Sequence, residues 1–155
     1  MEDVMKLNPE FRNAFENSED IRRYVLGGRG VVTLESPSGV SYTYAFRRPL
    51  DDEFPKDIIF IYLVSSDRKL FYLGMLEELS FRLTKNSRYL KDTSPVKGAK
   101  WIARMMVEPQ LVSSTHMKLY HEGVCGRCGR PLTQTSSISS GFGRKCLSIV
   151  EACDE

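Results

Sequence analysis

Between residues 40 and 47 the chain alternates, with Val40, Tyr42, Tyr44 and Phe46 set against Ser41, Thr43, Ala45 and Arg47. A period of two marks a strand with one buried face. Residues 31–35 precede it across Ser36-Pro37-Ser38-Gly39, a turn by composition. Residues 58–64 are continuously apolar, as a central strand requires, and Ser66-Asp67-Arg68-Lys69 turns into a further strand over 70–76. Leu79, Phe81 and Leu83 alternate with Ser80, Arg82 and Thr84 for a fifth strand. Consecutive strands joined by short turns predict an antiparallel meander.

Two helices are expected beside this sheet. Asn8-Pro9-Glu10 opens one over 9–26, ended by Gly27-Gly28, with a rough apolar stripe of Phe11, Ala14, Phe15, Ile21 and Val25. It starts acidic and ends with Arg22 and Arg23, as the helix dipole favours. The second starts with Ser94 as N-cap and Pro95 at its first position, and stops near Val107, before Pro109. The expected fold class is α+β: a five-stranded, mostly antiparallel sheet with an N-terminal and a following helix over 1–108, a linker over 109–116, and a small zinc-binding module over 117–155.

That module rests on cysteines. All four lie in the last 31 residues, and the first two stand in Cys125-Gly126-Arg127-Cys128-Gly129. Glycines here let the backbone turn tightly enough for both thiolates to face one point. Cys146 follows 18 residues later, just behind Gly141-Phe142-Gly143. A closed structural zinc site needs four ligands. Either His121 or Cys153 supplies the fourth, with His116 more distant. Cys153 would lie roughly 10 Å along a helix from Cys146, which one zinc with bonds of about 2.3 Å cannot easily span. Ligand reach therefore favours His121. A redox Cys-x-x-Cys or a disulfide would leave Cys146 and its glycine turn unexplained. No Glu or Asp stands between Cys128 and Cys146 to act as a general base, so the expected zinc is structural, one per chain, and no residue is assigned a catalytic role.

The run His121-Glu122-Gly123-x-Cys125-Gly126-Arg127-Cys128-Gly129-Arg130-x-Leu132-Thr133, then Ser137-Ile138, Gly141-x-Gly143 and Cys146, resembles a short zinc-ribbon-like domain of unknown function. That domain recurs in tailed-bacteriophage and actinobacterial proteins and as an appendage of larger nucleic-acid enzymes. The resemblance covers about residues 120–147. It implies His121 as fourth ligand, because the family pattern commonly begins His-Glu-Gly, and it implies a phage-encoded protein. Arg144 stands where the family usually has proline. The upstream part of the chain is more loosely similar to some phage proteins of this kind.

Bulk numbers add little. At 155 residues and 41% hydrophobic content the chain supports one domain and a small appendage, and a net charge of +2 singles out no partner. There is no run of about 18 apolar residues and no signal-peptide core, so no membrane span is expected and the expected location is cytoplasmic, the host cytoplasm if phage-encoded.

Charge distribution says more. From Arg82 to Val107 there are seven Lys or Arg and one acid, Asp92. Lys97, Lys100 and Arg104 fall within about 60° on the second helix, with Trp101 at the edge of that stripe. Such a stripe can hold phosphates while the indole stacks on a base; an ordinary solvated face is the plainer alternative. The cysteine module adds Arg127, Arg130, Arg144 and Lys145. Some of these cations would neutralise thiolate charge, and the rest could reach phosphates or an acidic protein. Gly27-Gly28-Arg29-Gly30 lacks the ending of a phosphate loop and reads as a flexible connector. Asp51-Asp52-Glu53 reads as a solvated turn, and Tyr42, Tyr44, Tyr62 and Tyr72 as sheet packing rather than a stacking platform.

The expected function is a non-enzymatic zinc-binding accessory protein that recognises DNA, RNA or a nucleic-acid-handling host protein, with no small-molecule cofactor. A protein-binding inhibitor or counter-defence factor that blocks a host enzyme is the alternative.

Overall fold

A computed structural model describes residues 7–49, 58–87, 89 and 91–153. The acidic turn at 51–53 lies outside them. The elements run β1 (Asn13–Ala14), α1 (Ser18–Val25), β2 (Val31–Glu35), β3 (Ser41–Arg47), β4 (Ile58–Val64), β5 (Leu70–Glu77), β6 (Ser80–Arg82), α2 (Ser94–Val107), α3 (Leu111–Thr115), β7 (Lys118–His121) and α4 (Arg144–Cys153). All strand pairs are antiparallel, in the order β1-β7-β2-β3-β4-β5-β6.

The expected meander is β2 to β6. The sheet has seven strands rather than five because β7 pairs with β2 on one side and β1 on the other. Lys118-Leu119-Tyr120-His121 alternates in burial, with Leu119 and His121 buried. Four residues placed in the zinc module by sequence therefore form an interior strand, and the sheet crosses the boundary drawn at 117.

The first helix is also shorter than expected. Pro9–Phe11 makes a single 3-10 turn, Asn13 and Ala14 pair with His121 and Tyr120, and α1 begins only at Ser18. Two causes combine. Pairing with β7 draws residues 13–14 into the sheet, and Asn17 caps the helix, its side chain accepting the Asp20 N–H at 2.8 Å. In α2 the N-cap is Thr93 rather than Ser94, with proline in the first turn and the end before Pro109 as expected.

The main core lies between the helices and one sheet face. Val96, Ala99, Ile102 and Met105 of α2 and Ile21 and Val25 of α1 pack with Val32, Tyr44, Ile59 and Leu73. Tyr44 lies on this face, its hydroxyl donating to the Pro95 carbonyl at 2.7 Å, and Tyr42 packs beside it. Tyr62 and Tyr72 occupy the opposite face, rings 5.6 Å apart, beside a smaller cluster of Val31, Ala45 and Val124. Cys125, Leu132, Phe142 and Cys146 belong to the main cluster, so the cysteine segment and the sheet share one core.

Candidate metal centre

The centre is built outward from β7. After His121, Gly123 turns the chain with φ of 82°, and a Cβ there would lie 1.9 Å from the Asn8 carbonyl oxygen, so only glycine fits. Asn8 then fixes this turn from outside, donating from its backbone to the Glu122 carbonyl at 3.1 Å and from its side chain to the Leu132 carbonyl at 2.7 Å. The knuckle closes through Cys125 N–H to the Arg130 carbonyl (2.8 Å) and Gly129 N–H to the Cys125 carbonyl (2.9 Å). The loop returns at Gly141, whose carbonyl accepts the Gly126 N–H at 2.9 Å, and Gly143 donates toward the Cys125 sulfur at 3.4 Å. Cys146 sits in the first turn of α4. Arg144 is the first residue of α4, a position at which proline is also favoured, so the departure from the family pattern leaves the helix start intact.

This path brings the sulfurs of Cys125, Cys128 and Cys146 within 4.8 Å of one another. All three are free thiols; Cys125 and Cys146 are buried and Cys128 is exposed. Tetrahedral bonds of about 2.3 Å separate sulfurs by about 3.8 Å, so small side-chain rotations suffice to close the set on one ion. The local electrostatics differ between two of the thiols. Burial pushes the Cys125 thiol up, but the N–H groups of Cys128, Gly143 and Arg127 outweigh it and hold the group below the ordinary cysteine value. Burial pushes Cys146 up to about 11 although the Arg127 guanidinium lies 3.8 Å from its sulfur. Three converging sulfur donors suit a dication at their centre. The donor set therefore fits a metal ion.

His121 is not in this set. Its ring is fully buried, Nδ1 accepts the Gly123 N–H at 3.2 Å and Nε2 lies 2.5 Å from the Ile138 carbonyl. With Nδ1 accepting, Nε2 carries the proton and donates. The imidazole thus ties the end of β7 to the far side of the cysteine loop. Cys153 lies at the far end of α4, about 10 Å along its axis from Cys146. His116 is exposed at the C-terminal end of α3. Among the described residues the metal-ligating group is the three cysteines alone.

Each member of His121-Glu122-Gly123 has a structural task. Glu122 is only 8% exposed; it pairs with Arg12 at 2.9 Å and accepts the Thr33 hydroxyl, and Arg12 also lies over the Tyr120 ring, 4.4 Å from its centre. Burial lowers the His121 pKa below its ordinary 6.5, outweighing the Ile138 carbonyl that favours the protonated form. The folded state then binds fewer protons than the unfolded chain, so this contribution is complete above about pH 6.5 and is lost as pH falls from there toward the folded value. We expect His121→Gln to flatten the loss of Tm between pH 7.5 and 5 relative to the parent protein. Identical pH profiles in thermal denaturation would refute a neutral buried imidazole.

Tyr24 escaped sequence reading. It is fully buried between α1 and the knuckle, its hydroxyl donating to the Val124 carbonyl at 2.7 Å and accepting the Val31 N–H at 3.2 Å. A Cβ on Gly30, Gly126 or Gly141 would meet its ring at 2.6 to 2.7 Å. Gly27 packs on the Gly126 carbonyl, and Arg29 N–H donates to that carbonyl at 2.9 Å. Gly27-Gly28-Arg29-Gly30 is thus a packed joint rather than the flexible connector expected. Only the unusual density of glycines in both segments hinted at a large ring between them.

The cationic candidates separate. Arg127, Arg130, Arg144 and Lys145 are all exposed around the cysteines. Arg130, Arg144 and Lys145 line a cleft of about 490 Å³ that reaches the three sulfurs. Lys97, Lys100 and Arg104 are exposed on α2 and line neither this cleft nor the larger one beside Arg127. Arg104 is paired with Glu108 at 2.7 Å. Trp101 is partly buried, packed against the main core with Nε1 enclosed.

Residues 119–150, from β7 into α4, match the family described as Family of unknown function (DUF6011). The match takes in His121, the three cysteines and the glycine turns, and leaves the meander and α2 outside it. No curated protein and no solved structure matches the chain. No helix among the described residues is long and apolar enough to cross a membrane.

Proposed function

We propose that this chain is a phage-encoded, non-enzymatic zinc-binding accessory protein that recognises nucleic acid through the face around its cysteines. Three thiolates favour zinc over hard cations, and a structural role for one zinc fits their place in the shared core, its fourth position left to a ligand beyond the three cysteines. The observation that carries the nucleic-acid reading is charge. Four exposed cations ring the cysteines, and no Asp or Glu occurs between Glu122 and Glu151. Three thiolates on a dication leave a single negative charge, which these cations outnumber. Arg127 turns toward Cys146, leaving Arg130, Arg144 and Lys145 for phosphates. The α2 stripe is the weaker candidate, since Arg104 is paired and Trp101 is partly taken up by core packing. Resemblance to phage domains supports the phage setting and action in the host cytoplasm.

The test is binding of a labelled oligonucleotide across a salt series. The slope of log affinity against log salt should flatten by about one unit per lost contact in Arg130→Ala, Arg144→Ala and Lys145→Ala combined. Lys97→Ala with Lys100→Ala should change it less. An unchanged slope in the triple variant, or a nuclease-resistant stoichiometric complex with a host protein, would favour protein recognition instead.

A further inference from the structure

Three sulfurs leave a tetrahedral ion one donor short. The nearby candidates in the chain are engaged or distant. Both ring nitrogens of His121 are in hydrogen bonds, with the Gly123 N–H and the Ile138 carbonyl. The Glu122 carboxylate is held by Arg12 and the Thr33 hydroxyl. Cys153 ends α4, roughly 10 Å along the axis from Cys146. Among the described residues no further Cys, His, Asp or Glu joins the three cysteines.

The sulfurs open to one side. Cys125, Cys128 and Cys146 line a common cleft of about 490 Å³, and Cys128 is exposed. Cys125 is buried in the main core, so the cleft is the side from which an outside donor approaches. The volume falls within the ~300–1,000 Å³ of small-molecule sites, far more than a water requires. A water at this position would make the arrangement of a catalytic zinc, but no Asp or Glu among the described residues lines the cleft to act as a base. Structural sites with three cysteines are completed by a fourth cysteine or a histidine. The cleft favours the sulfur. A fourth thiolate adds a negative charge, and Arg130, Arg144 and Lys145 in the same lining stabilise it, whereas a neutral imidazole gains nothing from them.

We propose that the fourth position at the three cysteines is filled through this cleft by a thiolate from outside the chain, that of a small thiol or of a cysteine on a partner protein. The proposal rests on the zinc reading above and names the ligand that completes the same site. The step is a ligand exchange without oxidation or reduction: the thiol releases its proton to solvent, its sulfur joins the three of the chain, and a solvent molecule leaves.

The test is a thiol titration of the intact chain loaded with cobalt(II) in place of zinc, since cobalt reports its ligands in its absorption spectrum. Added 2-mercaptoethanol should raise the sulfur-to-cobalt charge-transfer absorption by about one third, as three sulfurs become four. The change should saturate at one thiol per chain with cobalt still bound. Arg144→Ala with Lys145→Ala should weaken the thiol about tenfold, whereas Cys153→Ser should alter neither the starting spectrum nor the response. A peptide with one internal cysteine separates the sources: whichever of the two thiols binds more tightly shows whether a free thiol or a partner's cysteine is the ligand. The proposal fails if about 10 mM of either thiol leaves the spectrum unmoved, or if the double variant keeps full thiol affinity. It also fails if imidazole or acetate acts at lower concentration than the thiols, or if Cys153→Ser lowers the absorption before any thiol is added. A chain with no sulfur-to-cobalt absorption at all would overturn the zinc reading itself, and this proposal with it.

Discussion

Replacing Cys125 with serine is expected to remove the metal and with it a large part of the stability of the whole chain. Cys125 is the most enclosed of the three cysteines, 1% exposed, and three backbone N–H groups lower its pKa. Structural zinc contributes apparent binding energies of about 10–16 kcal/mol where a site is formed only on folding. This protein retains a sheet of its own, so a loss on the order of 5 kcal/mol is the reasonable scale, or about 10–20 °C in Tm for a chain of this size. The loss should be felt everywhere at once. Cys125, Leu132 and Phe142 lie in one buried cluster with Ile21, Tyr24 and Val32, and β7 carries the sheet directly into the knuckle. Chelation and Cys125→Ser should therefore give a single, lower unfolding transition by circular dichroism and calorimetry, and metal analysis should fall from one zinc per chain to near none. A sheet that melts at an unchanged temperature while residues 123–150 unfold separately would show two independent units. Cys128→Ser should lose the metal in the same way, whereas His121→Gln should keep it. Zinc lost from His121→Gln in a protein that still folds would return the imidazole to the ligand set.

Tyr24→Ala is the other change with a large expected effect. A fully buried aromatic truncated to alanine costs about 3–5 kcal/mol through lost transfer energy and the cavity left behind. Here it also strips the Val124 carbonyl and the Val31 N–H of their shared partner. Against a typical total of about 5–15 kcal/mol, the variant should be marginal or unfolded at 37 °C. Tyr24→Phe keeps the ring, with its contacts to Phe15, His121 and Phe142 at 5.3, 5.7 and 5.8 Å, and removes only the hydroxyl. Its cost should be about 1–3 kcal/mol, the penalty of leaving buried backbone groups unpaired. Urea denaturation of the pair separates the two contributions. A Phe variant as stable as the parent would mean that water or a shift of the knuckle satisfies those groups, and that the hydroxyl does not join β2 to the cysteine segment.

These two residues also mark the division between what could be read from the chain and what could not. The meander from β2 to β6, the extent of α2 and the convergence of three cysteines are local matters. Alternation with period two, Pro95 in the first turn and Pro109 beyond the end, and cysteines flanked by glycines each act within a few residues of where they stand. Sequence alone therefore determined these features.

What sequence left open depends on partners far away along the chain. Asn13 and Ala14 look helical until β7, more than 100 residues on, offers them a strand edge. His121 has the spacing of a ligand, yet the Ile138 carbonyl and the Gly123 N–H occupy its two nitrogens. Trp101 sits at the border of a basic stripe by helical angle, and the core beneath α2 takes up part of its ring. Arg22, Arg23 and Arg127 line one cleft only because the knuckle docks on α1. The physical reason is the same in each case. Propensity and spacing weigh contacts within about one turn or one strand, whereas burial lets a distant hydrogen bond or ring outweigh them.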